Sequence, residues 1–357
     1  MFKIERYIIA EISRPVGLMI GFLTFVFASY SAERYLSEAA NGTLPVNAVL
    51  QIVFYKVVIA LEMLLPVGLY TSVAIALGRL YHDSEIAAML ASGVSPLRFY
   101  RAVLFIASPL ALAVALLSLH GRPWAYAQTY ALEQQAQSAL DVTHLQAQRF
   151  NVSQDNGRMI LAQDIDVGSR QLGEALIYEP DQDKSRVFRA RVATVSDPDP
   201  TSPAFILQHG STYTLQHHTA KDTELRFQQL RLQLKPLEQN ADAKRKASPS
   251  EVLATSAETD DQAELQWRKS RGLCALLLAL LAVPLSRTAP RQGRFSTLLP
   301  VALVFIAVFY GGNLCRSMVA NAIVPLTPGV WLLPLTMLLG VAGLIARDLR
   351  LLAKWFR

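Results

Sequence analysis

The chain has 357 residues, 52% of them hydrophobic and 17% charged, with a formal net charge of +6 and a positive mean hydropathy. That is richer in apolar side chains than a soluble globular domain tolerates, so a bilayer is expected to be the solvent for part of it. No GxxxxGK[ST], GxSxG, HExxH or CxxC pattern occurs, which removes the common phosphate-cradling, serine-nucleophile, zinc-protease and dithiol chemistries from the candidates. No catalytic residue, cofactor, metal or nucleic-acid partner is expected.

In chain order, charge-free windows long enough to cross about 30 Å of hydrocarbon occur at 15–32, 102–119, 295–315 and 317–346. Two weaker windows are 63–78, extendable back past Glu62 to Val57, and 272–286, where Arg271 and Arg287 can snorkel. Six spans are therefore expected. The first reads as an uncleaved helix, because no small-residue cleavage site follows it. Cys274 and Cys315 both fall in apolar windows, the usual place of a buried small hydrophobe. Lys56 and Glu62 read as part of an amphipathic stretch ahead of a span that begins near Met63.

Basic residues set the orientation. Lys3, Arg6 and Arg14, then Arg79, Arg98 and Arg101, then Arg287, Arg291 and Arg294, and finally Arg347, Arg350, Lys354 and Arg357 mark four cytoplasmic segments. Arg34 and Arg316 fall on the other side, and "RKSR" at 268–271 breaks the bias, either near lipid headgroups or by shifting the boundary of span four.

The gap between spans two and three, "GRLYHDSEIAAMLASGVSPLRFYR", has a compact helix pattern. Asp83 or Ser84 can cap its start, Glu85 suits the positive end of the dipole, and Ile86, Met89 and Leu90 form one apolar face. Gly93 can close it in the left-handed conformation, and Ser95-Pro96 can open the next helix. A helix of about two turns is marginal alone, so packing must hold it. It is either a tidy connection packed on the spans or a plug for a groove in a cytoplasmic partner, with Glu85 offering its carboxylate.

Between spans three and four, "RMILAQ", "EALIYE", "RVFRARVATV", "AFILQ", "STYTL" and "ELRFQQLRLQL" alternate like strands, separated by "DNG", "PDQD" and "DPDPTSP" turn signals. Six or more short strands argue for a sandwich or jellyroll, facing the periplasm if the envelope is bacterial. His217 and His218 are adjacent, so in a strand they point to opposite faces and read as solvated residues. The polar stretch that follows reads as a flexible or partly ordered linker. The expected division is 1–120 for spans one to three with the short cytoplasmic helix at 83–93, 121–236 for the β-domain with its lead-in segment, 237–266 for the linker and 267–357 for spans four to six.

Three blocks, "ERYIIAEISR", "LGRLYHDSEIAAMLASGVSP" and "AELQWR" with "VPLSRTAPRQGRFSTLLP", together with the order of spans and β-domain, resemble the lipopolysaccharide-export permease family LptF/LptG over nearly the whole chain. The "VPLS…PRQGR" wording and a lone Arg34 followed by "NGTLP" are closer to the F subunit. The resemblance implies a membrane α-helical fold of six spans with an inserted periplasmic all-β jellyroll. It implies a heterodimer with LptG, two copies of the ATPase LptB inside, a periplasmic bridge through LptC and LptA, and lipopolysaccharide as cargo. By the same resemblance Ser84, Glu85, Ile86, Met89 and Leu90 become the ATPase-coupling residues. Arg34 becomes a contact for lipid phosphates, since a guanidinium donates two parallel hydrogen bonds, and Phe22, Phe25, Val26, Phe305 and Phe309 become candidates for the acyl chains. Apart from the resemblance, a membrane-anchored scaffold with a binding β-domain and an exporter of another lipid stay open.

Overall fold

A computed structural model of the protein describes residues 3–40, 44, 46–138, 147–152, 159–180, 184–197, 204–216, 222–233, 241–287 and 298–355. His217, His218, Arg291, Arg294, Arg357 and the "NGT" after the first helix lie outside the described residues. The chain divides into two compact units: Met1–Ser31, Val53–Gln128 and Ala241–Arg357, which are helical, and Ala32–Ile52 with Thr129–Asn240, which hold the sheet.

The helices are α1 (Lys3–Ala40), α2 (Val46–His82), α3 (Glu85–Ala91), α4 (Leu97–Leu116), α5 (Arg122–Ser138), α6 (Ala241–Ala247), α7 (Ser250–Thr255), α8 (Thr259–Leu285), α9 (Leu298–Ala320) and α10 (Leu332–Trp355). A π-helical turn, Leu117–Gly121, joins α4 to α5, and a 3-10 turn, Gly329–Trp331, opens α10. Five stretches are long and apolar enough to cross a membrane: Lys3–Ala40, Ala48–His82, Leu97–Glu133, Leu299–Ala320 and Gly329–Leu349. The sixth expected span belongs to α8 and does not match this pattern. Asp260, Asp261, Glu264, Arg268, Lys269 and Arg271 fill its first half, and the apolar remainder rises only about 21 Å at 1.5 Å per residue. Most of α8 is buried, packed against α4, α9 and α10. Gly272 permits part of this: a Cβ there would sit 2.9 Å from the Ala111 carbonyl oxygen and 2.8 Å from the Ala115 Cβ, so α4 and α8 touch through small residues.

The segment expected as a linker is more ordered than its composition suggests. Residues 241–255 form α6 and α7, and α8 starts at Thr259. The reason is a set of buried cation contacts described below.

The sheet unit has seven described strands: β1 (Asn151–Val152), β2 (Met159–Leu161), β3 (Asp164–Asp166), β4 (Gln171–Glu179), β5 (Lys184–Asp197), β6 (Ala204–Gln216) and β7 (Thr223–Gln233). All pairings are antiparallel within one sheet of order β1-β2-β4-β5-β6-β7, with β3 also on β4. "AFILQ" and "STYTL", expected as two strands, are one: His209-Gly210 does not turn the chain but continues it through β6.

A crease crosses that sheet. The positions of Glu174, Arg191, His209 and Gln228 drop out of the ladders, while the register is the same on both sides of them. Glu174 (φ 44°) and His209 (φ 49°) are left-handed there. The apolar positions change parity at this line, from Leu172 to Ala175 and Ile177 on β4, from Phe188 and Ala190 to Ala193 on β5, so one face stays apolar through the bend. Gly210 is required by closeness: a Cβ would lie 2.1 Å from the Arg189 carbonyl oxygen and 2.8 Å from the Phe227 ring. Gly210→Val is expected to destabilise this unit by about 3 kcal/mol, read as faster amide exchange across β5 and β6 in the full-length protein. Exchange rates equal to wild type would contradict the crease.

Candidate functional site

The short helix expected between the second and third spans is α3, and its ends differ. Ser84 precedes it in the left-handed conformation (φ 59°) and its side chain caps nothing, so the expected hydroxyl cap is not how the helix starts. Asp83 instead faces Arg79 and His82, at 3.6 Å and 3.1 Å. The helix is an abrupt continuation of α2: Ser84 N–H donates to the Tyr81 carbonyl and Ala88 N–H to that of Ser84. The C-terminus follows the expectation. Gly93 (φ 86°) is left-handed, its N–H donates to Leu90, and the Val94 N–H reaches back to Met89 at 3.0 Å, a Schellman closure that satisfies two orphan carbonyls.

Ile86 is 1% exposed and shares one core with Ile8, Ile12, Leu80 and Phe99; Met89 and Leu90 pack against it. Ile86, predicted as a coupling contact, is thus an anchor inside the chain. Burying it removes about 2 kcal/mol worth of apolar surface from water, which is what a two-turn helix needs. The exposed positions are Ala87, Ala88 and Ala91, with Glu85 half-buried at their edge. The Glu85 carboxylate accepts a 2.8 Å hydrogen bond from the Tyr7 hydroxyl.

At the same end of the helical unit, Asp348 of α10 is buried. It accepts a 2.8 Å bond from the Tyr100 hydroxyl of α4 and pairs with Arg287 just past α8. One carboxylate therefore ties three helix ends together beside α3.

The proposed lipid contacts are placed differently from one another. Phe22, Phe25 and Val26 are exposed at 64%, 70% and 48%, in a stripe with Leu18 and Tyr30. Phe305 and Phe309 stack with centroids 6.0 Å apart and are half-buried. The uncovered stripe of α9 is instead Leu303, Ile306, Tyr310 and Leu314, one helical face that a choice by position on spans one and five alone missed. Large uncovered apolar stripes suit lipid or a second membrane subunit. Arg34, near the end of α1, pairs with Glu38 at 3.3 Å and lies 5.7 Å from the Tyr35 ring.

Sequence reading missed a buried charge cluster in the helical unit, at the end opposite α3. Glu62, expected in an interfacial stretch, is 7% exposed. Its Oε2 meets Arg122 Nε at 3.2 Å, and its Oε1 meets Arg271 Nε at 3.2 Å and the Ser118 hydroxyl at 2.9 Å. Ser118 lies in the π-helical turn, whose extra residue per turn re-aims it. Glu264 takes Arg122 Nη1 at 3.0 Å and Arg268 Nε at 3.1 Å on one oxygen, and Arg316 Nη2 at 3.0 Å on the other. The Arg316 contact is a close ion pair without hydrogen-bond alignment, since that oxygen has no aligned donor.

Arg268 is fully buried and places all five of its donors. Beyond Glu264, its Nη1 donates to the Ser248 carbonyl and Ser250 hydroxyl and its Nη2 to the carbonyls of Arg245 and Lys246. The reading of "RKSR" as headgroup contacts does not fit Arg268, which is buried, or Arg271, which is largely buried: Arg268 fastens α6 and α7 to α8, and Arg271 joins α8 to α2. The local signal was present as Glu264 and Arg268 four residues apart, a helical ion-pair spacing. Arg122 and Arg316 are too distant in sequence for any such pattern.

Comparison with known proteins gives one consistent result. Residues 6–347 match the family described as "Lipopolysaccharide export system permease LptF/LptG". The chain is 24% identical over 311 residues to "Lipopolysaccharide export system permease protein LptF" of Escherichia coli (strain K12), covering 86% of this chain and 84% of that protein. The proteins of the same description from Escherichia coli O157:H7 and Shigella flexneri match equally.

Proposed function

Because the chain belongs to the lipopolysaccharide export system permeases LptF/LptG, a family of multi-pass inner-membrane proteins, we propose that it is the F-type subunit of an exporter driven by a separate ATPase. Its relatives named LptF support the subunit choice. The observation that carries the reading is α3: a two-turn helix with its apolar side anchored at Ile86 and a carboxylate at the edge of its exposed face, in a chain with no nucleotide-binding motif of its own.

In this reading both termini and α3 are cytoplasmic and the sheet unit is a periplasmic jellyroll. Two LptB subunits draw together on binding ATP and carry Glu85 and its counterpart in LptG. The cavity between the two permeases then narrows and lipopolysaccharide rises toward the jellyroll, LptC and LptA. The exposed α1 stripe around Phe22, Phe25 and Val26 and the uncovered α9 face of Leu303, Ile306, Tyr310 and Leu314 line that cavity, with Phe305 and Phe309 backing the latter from the packed side, and Arg34 meets lipid phosphates. Each methylene drawn into water costs about 0.8 kcal/mol, so the apolar path must be continuous.

Affinity purification from membranes tests the assignment. The chain is expected to bring down an ATPase, a paralogous permease and bound lipopolysaccharide together. Recovery without an ATPase and without a second permease would favour a scaffold, and recovery of the assembly with a different lipid would replace the cargo.

A further inference from the structure

Two polar contacts tie the first helix to α3 and its approach. The Tyr7 hydroxyl donates to Glu85 Oε2 at 2.8 Å, and Arg79 Nη1 donates to Glu11 Oε1 at 3.1 Å. Tyr7 and Glu11 are four residues apart on α1, one turn above the other. Between and beside them Ile8 and Ile12 are fully buried in the core that holds Ile86 and Leu80. This end of α1 is therefore fixed by packing on one side and, along its edge, by one hydrogen bond to α3 at Glu85 and one to the end of α2 at Arg79. Beyond Val16 the helix changes character: Leu18, Phe22, Phe25 and Tyr30 are exposed.

The geometry points to Tyr7 as a positioning residue for coupling, one that orients the Glu85 carboxylate and makes α1, rather than α2 and α4 alone, the helix that follows α3. This rests on the reading of α3 as the ATPase-coupling helix. Tyr7 occupies Oε2 only. A carboxylate accepts about four hydrogen bonds, so Oε1 retains capacity for a cation on the partner, and Tyr7 steers the group without closing it. A neutral phenol contributes direction without adding a charge that would compete for that cation. Because α1 carries an uncovered apolar stripe, a pull on Glu85 reaches the lipid-facing surface through one hydrogen bond and one helix. Chain connectivity alone would send it through α2 and α4.

The test uses the complete assembly, with its ATPase and second permease, in vesicles containing lipopolysaccharide. The quantity read is lipid extracted per ATP hydrolysed, normalised to the ATPase content of each preparation. Tyr7→Phe keeps the ring and removes the hydroxyl, and is expected to lower the ratio about three- to tenfold. Adding Tyr7→Phe to Glu85→Ala is expected to cost nothing further, because the partner atom is already gone. A purely structural role for Tyr7 would lower the ratio by the same factor in both backgrounds, and that result would overturn the inference. A wild-type ratio in Tyr7→Phe alone would overturn it as well. If Glu85→Ala is impaired while Tyr7→Phe is normal, only the role of Tyr7 falls; if Glu85→Ala is itself normal, the reading of α3 falls and this inference with it.

Discussion

Glu264→Ala is expected to lower the stability of the helical unit by about 3–5 kcal/mol, the cost of removing one partner from a buried ion pair. Glu264 has no exposed side-chain surface and meets Arg122, Arg268 and Arg316. The cluster holds the two acids Glu62 and Glu264 against Arg122, Arg268, Arg271 and Arg316, so it already carries more cation than anion. Removing one acid leaves Glu62 alone with four guanidiniums in a water-poor interior, where repulsion and lost hydrogen bonds act together. Glu264→Gln keeps an acceptor for Arg268 and is expected to cost less than the alanine change. The exposed pair Arg34–Glu38, with side chains 63% and 38% exposed, provides the contrast, because such a surface pair is worth about 1 kcal/mol at most. Thermal unfolding of the detergent-solubilised protein checks the order: the melting temperature should fall far more for Glu264→Ala than for Arg34→Ala, and equal falls would contradict the cluster's role.

Glu85→Ala is expected to act on coupling and to leave folding intact. Helix α3 is held by Ile86 and by the Schellman closure at Gly93, neither of which involves the carboxylate. A hydrogen bond to a charged group contributes about 1.5–3 kcal/mol, so ATPase retention or lipid moved per ATP should drop by at least about tenfold. The melting temperature should stay within a degree or two of wild type. A stable variant that keeps its ATPase and its transport ratio would show that the carboxylate is not where the ATPase grips.

The two kinds of residue in these predictions were unequally legible in the sequence. Helix α3 was readable because its signals are local: Glu85 at the first turn, an i, i+3, i+4 apolar face and a glycine at the end mark where a helix begins and stops, although packing of Ile86 is what holds it. What failed there was also local, since the start depends on a left-handed Ser84 that lets α3 leave α2 at once. The sheet was readable through alternation, yet the crease was not, because a positive φ at Glu174 or His209 leaves no mark in the residue types: Glu174 read as the start of a strand and His209-Gly210 as a break between two.

The buried charges were the least legible. A carboxylate six residues from a lysine, or a basic run at the end of an apolar window, reads as interfacial until its partners are known. Those partners come from four other places along the chain: Ser118, Arg122, the backbone at 245–248 and Arg316. The same contacts explain why a polar stretch expected as a flexible or partly ordered linker forms α6 and α7. Composition reports the cost of ordering a segment, and a fully satisfied guanidinium in another helix offsets it.

The most direct measurement of the central claim is ATP-driven extraction of lipopolysaccharide from vesicles that contain the ATPase and the second permease, with and without this chain. The account predicts release of lipid only when this chain and ATP are both present, and a loss of that release when Glu85 is replaced by alanine. Equal release without the chain, or release that ignores ATP, would contradict it.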